Sequence, residues 1–203
     1  MILSFPGRIF LYTMFRYFII YKPFQVLTQF SASEGKKTLK DFFKVPPDVY
    51  PVGRLDFDSE GLLMLTNDNS LKHKLTDPSF NHEKEYWAQV EGQINEEAIV
   101  KLEAGVTISI DGKSYRTKPA RAHIISPEPK VHFRNPPIRF RMNIPTSWLS
   151  LTITEGKNRQ VRKMTAAVGF PTLRLIRHRI GSIDFGDLKP GEMLELSRAE
   201  VYG

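Results

Sequence analysis

The sequence predicts an α+β protein built on a mixed, mostly antiparallel sheet flanked by helices. Three observations predict it. Apolar runs of strand length recur along the whole chain, helical stretches fall between them without strict β-α-β alternation, and no internal repeat or low-complexity linker divides the 203 residues.

Each element has a local cause. "RYFIIYKP" (16–23) is a compact apolar run stopped by Pro23, hence a strand. "KKTLKDFFKVP" (36–46) predicts a short helix with Leu39, Phe42 and Phe43 on one face. "GRLDFDSEG" is a polar loop, "LLMLTND" a buried strand, and "NSLKHKLTDP" the start of a short helix. "KEYWAQVEG" alternates as a half-buried strand does. "NEEAIVKLEAGV" reads as a helix capped by Asn95, with Ile99, Leu102 and Val106 turned to the core. "VTISIDGKSYRT" predicts a hairpin turning at Asp111-Gly112. The proline-rich piece 126–145 is either an ordered crossover or a mobile RNA-contacting loop. "SWLSLTITEG" is a strand, and "NRQVRKMTAAVG" a helix with Asn158 as N-cap, Val161, Met164 and Val168 inward, and Gly169 as stop. "TLRLIRHRIGSIDF" returns to strand, and "LKPGEMLEL" is a turn and a final strand.

Composition narrows the class. A hydrophobic fraction of 41% and a mean hydropathy of −0.30 predict a soluble globular core rather than disorder. The absence of cysteine excludes disulfides, thiolate catalysis and Cys-based zinc sites, and fits a reducing cytosol. No two of the five histidines have the helix-face spacing of a metal site, so no metal is expected. The N-terminal "MILSFPGRIFLYTMF" is interrupted by Pro6, Gly7 and Arg8 and lacks the pattern of a signal peptide. No run approaches the roughly 20 apolar residues that cross a bilayer. The expectation is a cytoplasmic protein with no membrane partner and a short tail over residues 1–15.

The net charge is +7, but its location says more. Between Lys130 and Arg179 eleven Lys/Arg face one acid, Glu155, a local +10 that leaves −3 for the rest of the chain. Such asymmetry points to a polyanion site rather than a generally basic protein.

Three constellations could carry chemistry. The first is the acid triplet Asp56, Asp58 and Glu60. In "DSEG" the chain reads as a turn before Gly61, where capping of backbone N–H groups is the first reading of Asp58 and a solvent-facing turn acid an equal reading of Glu60, a role in chemistry being open to both. Asp56 lies between the apolar Leu55 and Phe57, so its carboxylate is half-desolvated and needs a cation to stay ionised. A salt-bridged or capping role and a catalytic one are both open to it. The second is "EGKNRQVRKM", where Arg159, Arg162 and Lys163 share a helix face at i, i+3, i+4 spacing; this is either an anion site or a merely basic amphipathic helix. The third is "KEYWAQV". Adjacent Tyr86 and Trp87 face opposite sides of a strand, so one packs in the core and the other is available to stack on a flat group such as an unpaired RNA base.

Taken together and in this order, the motifs resemble those of the RsuA-type pseudouridine synthases. "GRLDFDSEGLLMLTND" is similar to that family's active-site signature, "YKP" to its Asn-Lys-Pro motif with Tyr21 in place of the asparagine, "KEY" to its Lys-x-Tyr segment, and "EGKNRQVRKM" to its late basic motif. The stretch 134–177 is similar to the branch that modifies large-subunit (23S) ribosomal RNA. The resemblance runs from about residue 17 onward. It implies one catalytic domain over 16–203 with an active-site cleft between two subdomains, and no N-terminal S4-like RNA-binding domain, for which the leading residues leave no room.

Residue by residue, the resemblance implies that Asp56 is the catalytic carboxylate, that Tyr86 lies against the target base, and that Arg162 pairs with Asp56. Arg54 and Lys84 would organise the site or meet the RNA backbone, and Leu175 would wall the base pocket. Lys157, Arg159, Lys163 and Arg177 would meet RNA phosphates. The implied reaction cuts the N1–C1′ bond of a uridine, turns the uracil over and rejoins it through C5, with no redox change and so no cofactor. The implied partner is ribosomal RNA, within a pre-ribosomal particle or free, and the protein a monomer. The alternative from a different class is a non-catalytic rRNA-binding or ribosome-assembly factor using the same fold for grip alone.

Overall fold

The structure, a computed structural model, describes residues 14–138, 141 and 144–202, together with the backbone of Ser4–Phe5 and Arg8–Ile9. Most of the expected tail, residues 1–15, lies outside the described residues.

Seven strands form the main path of one mixed sheet: β1 (Tyr17–Lys22), β2 (Glu60–Thr66), β3 (Lys84–Glu91), β4 (Arg121–Ile125), β5 (Thr146–Ile153), β6 (Thr172–Ile180) and β7 (Met193–Leu196). Their spatial order is β4-β5-β3-β6-β2-β1-β7. Every pairing along this path is antiparallel except β6 with β2, which run parallel and meet only at Ile176↔Glu60 and Arg177↔Gly61. That short junction divides the sheet into one half formed by β2, β1 and the chain's last strand β7 and another formed by β4, β5, β3 and β6. The fold is α+β, with helices α1 (Asn69–Thr76), α2 (Glu96–Glu103), α3 (Gln160–Ala167) and α4 (Arg198–Tyr202). Among the described residues no helix is long and apolar enough to cross a membrane.

Strand alternation builds two cores. Phe18, Ile20, Leu63, Leu65, Tyr86, Ala88, Leu149 and Leu151 point to one face of the sheet, where α2 and α3 pack. Tyr17, Ile19, Tyr21, Leu62, Met64, Trp148 and Ile176 point to the other. Because both faces are covered, β1 and β2 are buried at every residue and read as continuous apolar runs, whereas the last six residues of β3 alternate buried and half-buried.

Local signals placed several ends. Asn95 caps α2, its side chain accepting from the Ala98 N–H at 2.9 Å, and Asp68 caps α1 through the N–H groups of Ser70 and Leu71. The hairpin of Thr107–Ile110 with Lys113–Arg116 turns at Asp111-Gly112, both at positive φ. Three expectations are corrected. The 36–46 segment forms no α-helix but a two-residue strand, Lys37–Thr38, paired with Val26–Leu27, and a 3-10 turn over Leu39–Asp41, with Leu39 and Phe43 buried and Phe42 left 37% exposed. α2 stops at Glu103, so Val106 reaches the core from beyond the helix. α3 begins one residue later than Asn158 would start it, with Arg159 at the N-cap position in left-handed conformation and giving no side-chain cap.

The proline-rich 126–145 piece joins β4 to β5, antiparallel neighbours, and its described residues 126–138 contain no helix or strand. The segment is fastened to the sheet: Arg174 Nη2 donates to the His132 carbonyl at 2.8 Å, and the Arg134 guanidinium lies 4.2 Å from the Phe24 ring centroid.

Candidate active site

The parallel junction positions the site. Pairing registers place Leu151, Tyr86, Arg177, Gly61 and Lys22 in one row across β5, β3, β6, β2 and β1. The loop carrying Asp56 crosses above this row, just before β2. Together they border a cleft of about 710 Å³ lined by Arg54, Asp56, Lys84, Tyr86, Lys157, Arg159, Leu175 and Arg177, among others. Ile153, Val161 and Ile180 make much of its wall apolar.

The loop is fastened at every carbonyl from 54 to 58. Arg177 Nη1 donates to the Arg54 carbonyl (3.4 Å), Thr28 Oγ1 to that of Leu55 (2.7 Å), and the Ser59 N–H to that of Asp56 (3.1 Å). The Gln25 N–H donates to the Phe57 carbonyl (2.8 Å) and Arg162 Nη2 to that of Asp58 (2.7 Å). A loop so held cannot drift when substrate enters, which is the preorganisation a catalytic group needs. The Asp56 carboxylate itself accepts no hydrogen bond among the described residues, is 39% exposed, and has Arg159 Nη1 at 3.7 Å. It is aimed into the cleft and left open to a ligand.

The structure brings together most of the residues picked out from the sequence and reassigns several. Arg162 does not pair with Asp56. Its guanidinium is 12% exposed and serves Asp58, at the carbonyl and, at 3.4 Å, at the carboxylate, and reaches the Thr172 carbonyl at 3.4 Å. The helix starts at Gln160, which carries Arg162 beneath the loop rather than to its tip. The arginine that approaches Asp56 is Arg159, whose left-handed backbone (φ 54°) turns its side chain off the helix face. Arg177 is not a surface contact for RNA: it is 4% exposed, and its Nε donates to the Leu62 carbonyl at 2.8 Å. Its work is to hold the loop. Lys163 does not line the cleft; Lys157 and Arg54 do, at its exposed rim. Tyr86 and Leu175 face the cleft while 9% and 5% exposed, and burial lowers the ammonium pKa of Lys84, with Arg177 adding to the effect. Trp87, on the opposite face of the sheet, meets a flat partner inside the protein: its ring stacks on His178 at 4.0 Å.

The other two acids also find partners. Asp58 is not a turn cap. Both Arg159 Nη atoms donate to its carboxylate at 2.8 Å, which holds the Asp58 carboxyl below its ordinary range. Glu60 is not solvent-facing: it is 1% exposed and paired with Arg174.

Two residues that the sequence reading met inside motifs but gave no role belong to the site. Glu155 is buried and accepts from the Lys118 N–H (2.8 Å), Gln160 Nε2 (2.6 Å) and the Tyr115 hydroxyl. Gln160 Oε1 in turn accepts from the Lys157 N–H (2.9 Å), so this pair shapes the turn that presents Lys157 and Arg159. Lys22 is fully buried under the loop, its Nζ donating to the carbonyls of Pro23 (2.9 Å) and Val26 (2.8 Å). A lone lysine closing an apolar strand was the available signal.

An aspartate presented by a rigid loop into an aromatic, apolar cleft with a basic rim defines a class that comparison with known proteins makes explicit. The family described as RNA pseudouridylate synthase matches residues 16–167, and the chain belongs to it. Its members are isomerases acting on RNA. The chain is 51% identical over 178 residues to the ribosomal large subunit pseudouridine synthase E of Vibrio parahaemolyticus, covering 88% of this chain and 72% of that one. It is 50% identical over 174 residues to the protein of the same name from Xanthomonas axonopodis pv. citri, covering 85% and 89%. Among solved structures, a pseudouridylate synthase crystal structure superposes with a TM-score of 0.75 at 28% identity, covering 93% of this chain and 73% of that one.

Proposed function

We propose that the protein converts one uridine of large-subunit (23S) ribosomal RNA to pseudouridine, with Asp56 as the catalytic carboxylate. The substrate class is the one carried in the names of the relatives that match most of the chain. The observation that carries the residue assignment is the Asp56 carboxylate, without a hydrogen bond among the described residues, on a loop fastened at five consecutive carbonyls. A non-catalytic RNA-gripping factor has no use for a carboxylate so presented.

In a duplex the N1–C1′ bond is inaccessible, so the uridine must leave the stack at a cost of a few kcal/mol. Phosphate contacts to the rim cations Arg54 and Lys157 offset that cost, as does packing of the base between Tyr86 and Leu175. Breaking the bond builds positive charge at C1′ and leaves a uracil anion. Asp56 meets that charge either as a nucleophile on C1′ or as a base on the sugar. The detached uracil turns over within the cleft, whose apolar wall keeps water from competing, and bonds to C1′ through C5; the C5 proton then leaves and one returns to N1. Lys84, its ammonium disfavoured by burial, donates to the His82 carbonyl and organises the strand that carries Tyr86. The protein acts as a cytoplasmic monomer on ribosomal RNA, free or in a pre-ribosomal particle.

The test is Asp56→Asn and Asp56→Ala, assayed by primer extension on carbodiimide-treated rRNA. Both variants are expected to lose pseudouridine formation while binding the RNA within about threefold of wild type, a change worth under 1 kcal/mol. Normal modification by either variant overturns the assignment of Asp56.

A further inference from the structure

Asp58 and Arg159 meet at the mouth of the cleft in a geometry the reaction itself does not call for. Each Nη atom of Arg159 donates to one Asp58 carboxylate oxygen, both at 2.8 Å. This fork-on-fork arrangement is the one a guanidinium otherwise offers to two oxygens of a phosphodiester. The pair lies at the water's edge, the side chains 43% and 34% exposed. Exposed ion pairs are weak and screened, so an incoming anion can exchange with one. Both partners are held from behind. Arg162 grips the Asp58 carbonyl at 2.7 Å and lies 3.4 Å from its carboxylate Oδ2, so a displaced carboxylate keeps a cation, and the Gln160 side chain, itself bonded to Glu155, ties the Lys157 N–H of the turn that carries Arg159. Either side chain can therefore let go without dismantling the site.

We propose that Asp58 tunes the affinity of this site for RNA: it occupies Arg159 as an internal stand-in for phosphate, and a backbone phosphate of the bound RNA displaces it. The inference rests on the RNA-synthase reading above. Every RNA that uses Arg159 must first expel Asp58. That cost is the same for a cognate RNA, which also seats its uridine in the cleft against Tyr86, and for a non-cognate RNA, which does not. Specificity is a difference of affinities, so this shared cost leaves the ratio between RNAs unchanged and instead keeps every complex weak enough to release its RNA.

The test compares wild type, Asp58→Asn, Arg159→Gln and the double variant for binding to an rRNA fragment that wild type modifies and to a scrambled RNA of equal length, over a salt series. Asp58→Asn is expected to bind the scrambled RNA and the cognate RNA about three- to tenfold more tightly, by the same factor for each. The slope of log affinity against log salt for the scrambled RNA should steepen by about 0.7, one further phosphate neutralised. In the Arg159→Gln background the same substitution should give neither effect, which separates exchange at Arg159 from general loss of a negative charge. Asp58→Glu, which keeps the charge, should restore weak binding of the scrambled RNA. An equal gain in both backgrounds, or no gain, overturns the proposal. If wild type modifies no rRNA fragment, the functional reading fails instead, and the two failures are distinct.

Discussion

Glu60 and Arg174 form a buried bidentate ion pair beside the parallel junction, Arg174 Nε donating to Glu60 Oε2 at 2.8 Å and Nη2 to Oε1 at 2.9 Å, with side chains 2% and 7% exposed. Glu60 opens β2, directly after the loop of Asp56, and Arg174 lies on β6, so the pair bridges the two halves of the sheet where few backbone bonds do.

Removing one partner strands the other charge in the core. Arg174→Met is expected to cost about 3–5 kcal/mol in denaturant unfolding, whereas Glu60→Leu combined with Arg174→Met should recover most of it. The recovery will be incomplete because Arg174 also serves the His132 carbonyl. Limited proteolysis should therefore find the 126–138 segment newly cleavable in the double variant, even where its melt approaches wild type. A double variant no better than Arg174→Met would show that the pair contributes more than mutual neutralisation.

Gly61 makes the same junction possible by a different means. It adopts φ +100°, and a Cβ there would overlap the backbone O and N of Arg177. Alanine would push β2 away from β6, move Arg177, and free the Arg54 carbonyl that it holds. Gly61→Ala is expected to lose about 2–4 kcal/mol of stability together with most activity per folded molecule. Gly112→Ala is the control: φ is +78° but nothing lies within 4 Å, so it carries only the turn penalty of about 1–2 kcal/mol and keeps full activity. Equal melts and equal activities for the two would remove the case for a close approach at the junction.

What could be read from the chain divides by range. Asn95 as a cap, the Asp111-Gly112 turn and the alternation of "KEYWAQV" are set by residues within a few positions of each other, and all three appear where expected. Asp56 was legible as the unusual acid, because an aspartate between Leu55 and Phe57 is conspicuous in one dimension. Its arginine was not. Whether Arg159 or Arg162 reaches the loop depends on one left-handed residue before a helix, and no local pattern in "KNRQVR" requires it. Arg177 illustrates the same limit from the other side. As one of eleven cations in a basic stretch it resembles a phosphate contact, and only the register of three strands places its guanidinium beneath the loop.

Lys22 allows the electrostatics under the loop to be measured. Burial pushes its ammonium down from 10.5 to about 7, against the opposing influence of Glu60, Asp56 and Asp58 and with Arg177 adding to the lowering. Between about pH 7 and 10.5 the unfolded chain therefore holds a proton on Lys22 that the folded protein has released. Stability gains from this group as pH rises through that window, by up to about 1.4 kcal/mol for each pH unit, and below it the folded state bears the full cost of a buried charge. Lys22→Met removes the titration but leaves the carbonyls of Pro23 and Val26 without their donor, a penalty that does not vary with pH. The unfolding free energy of wild type minus that of Lys22→Met is thus expected to climb across the window and to flatten just below it, where the neighbouring carboxylates are still fully ionised and groups remote from Lys22 cancel in the difference. Curves that run parallel across the whole range would mean that the lysine stays charged when folded, its ammonium sustained by the three carboxylates above it rather than suppressed by the core around it.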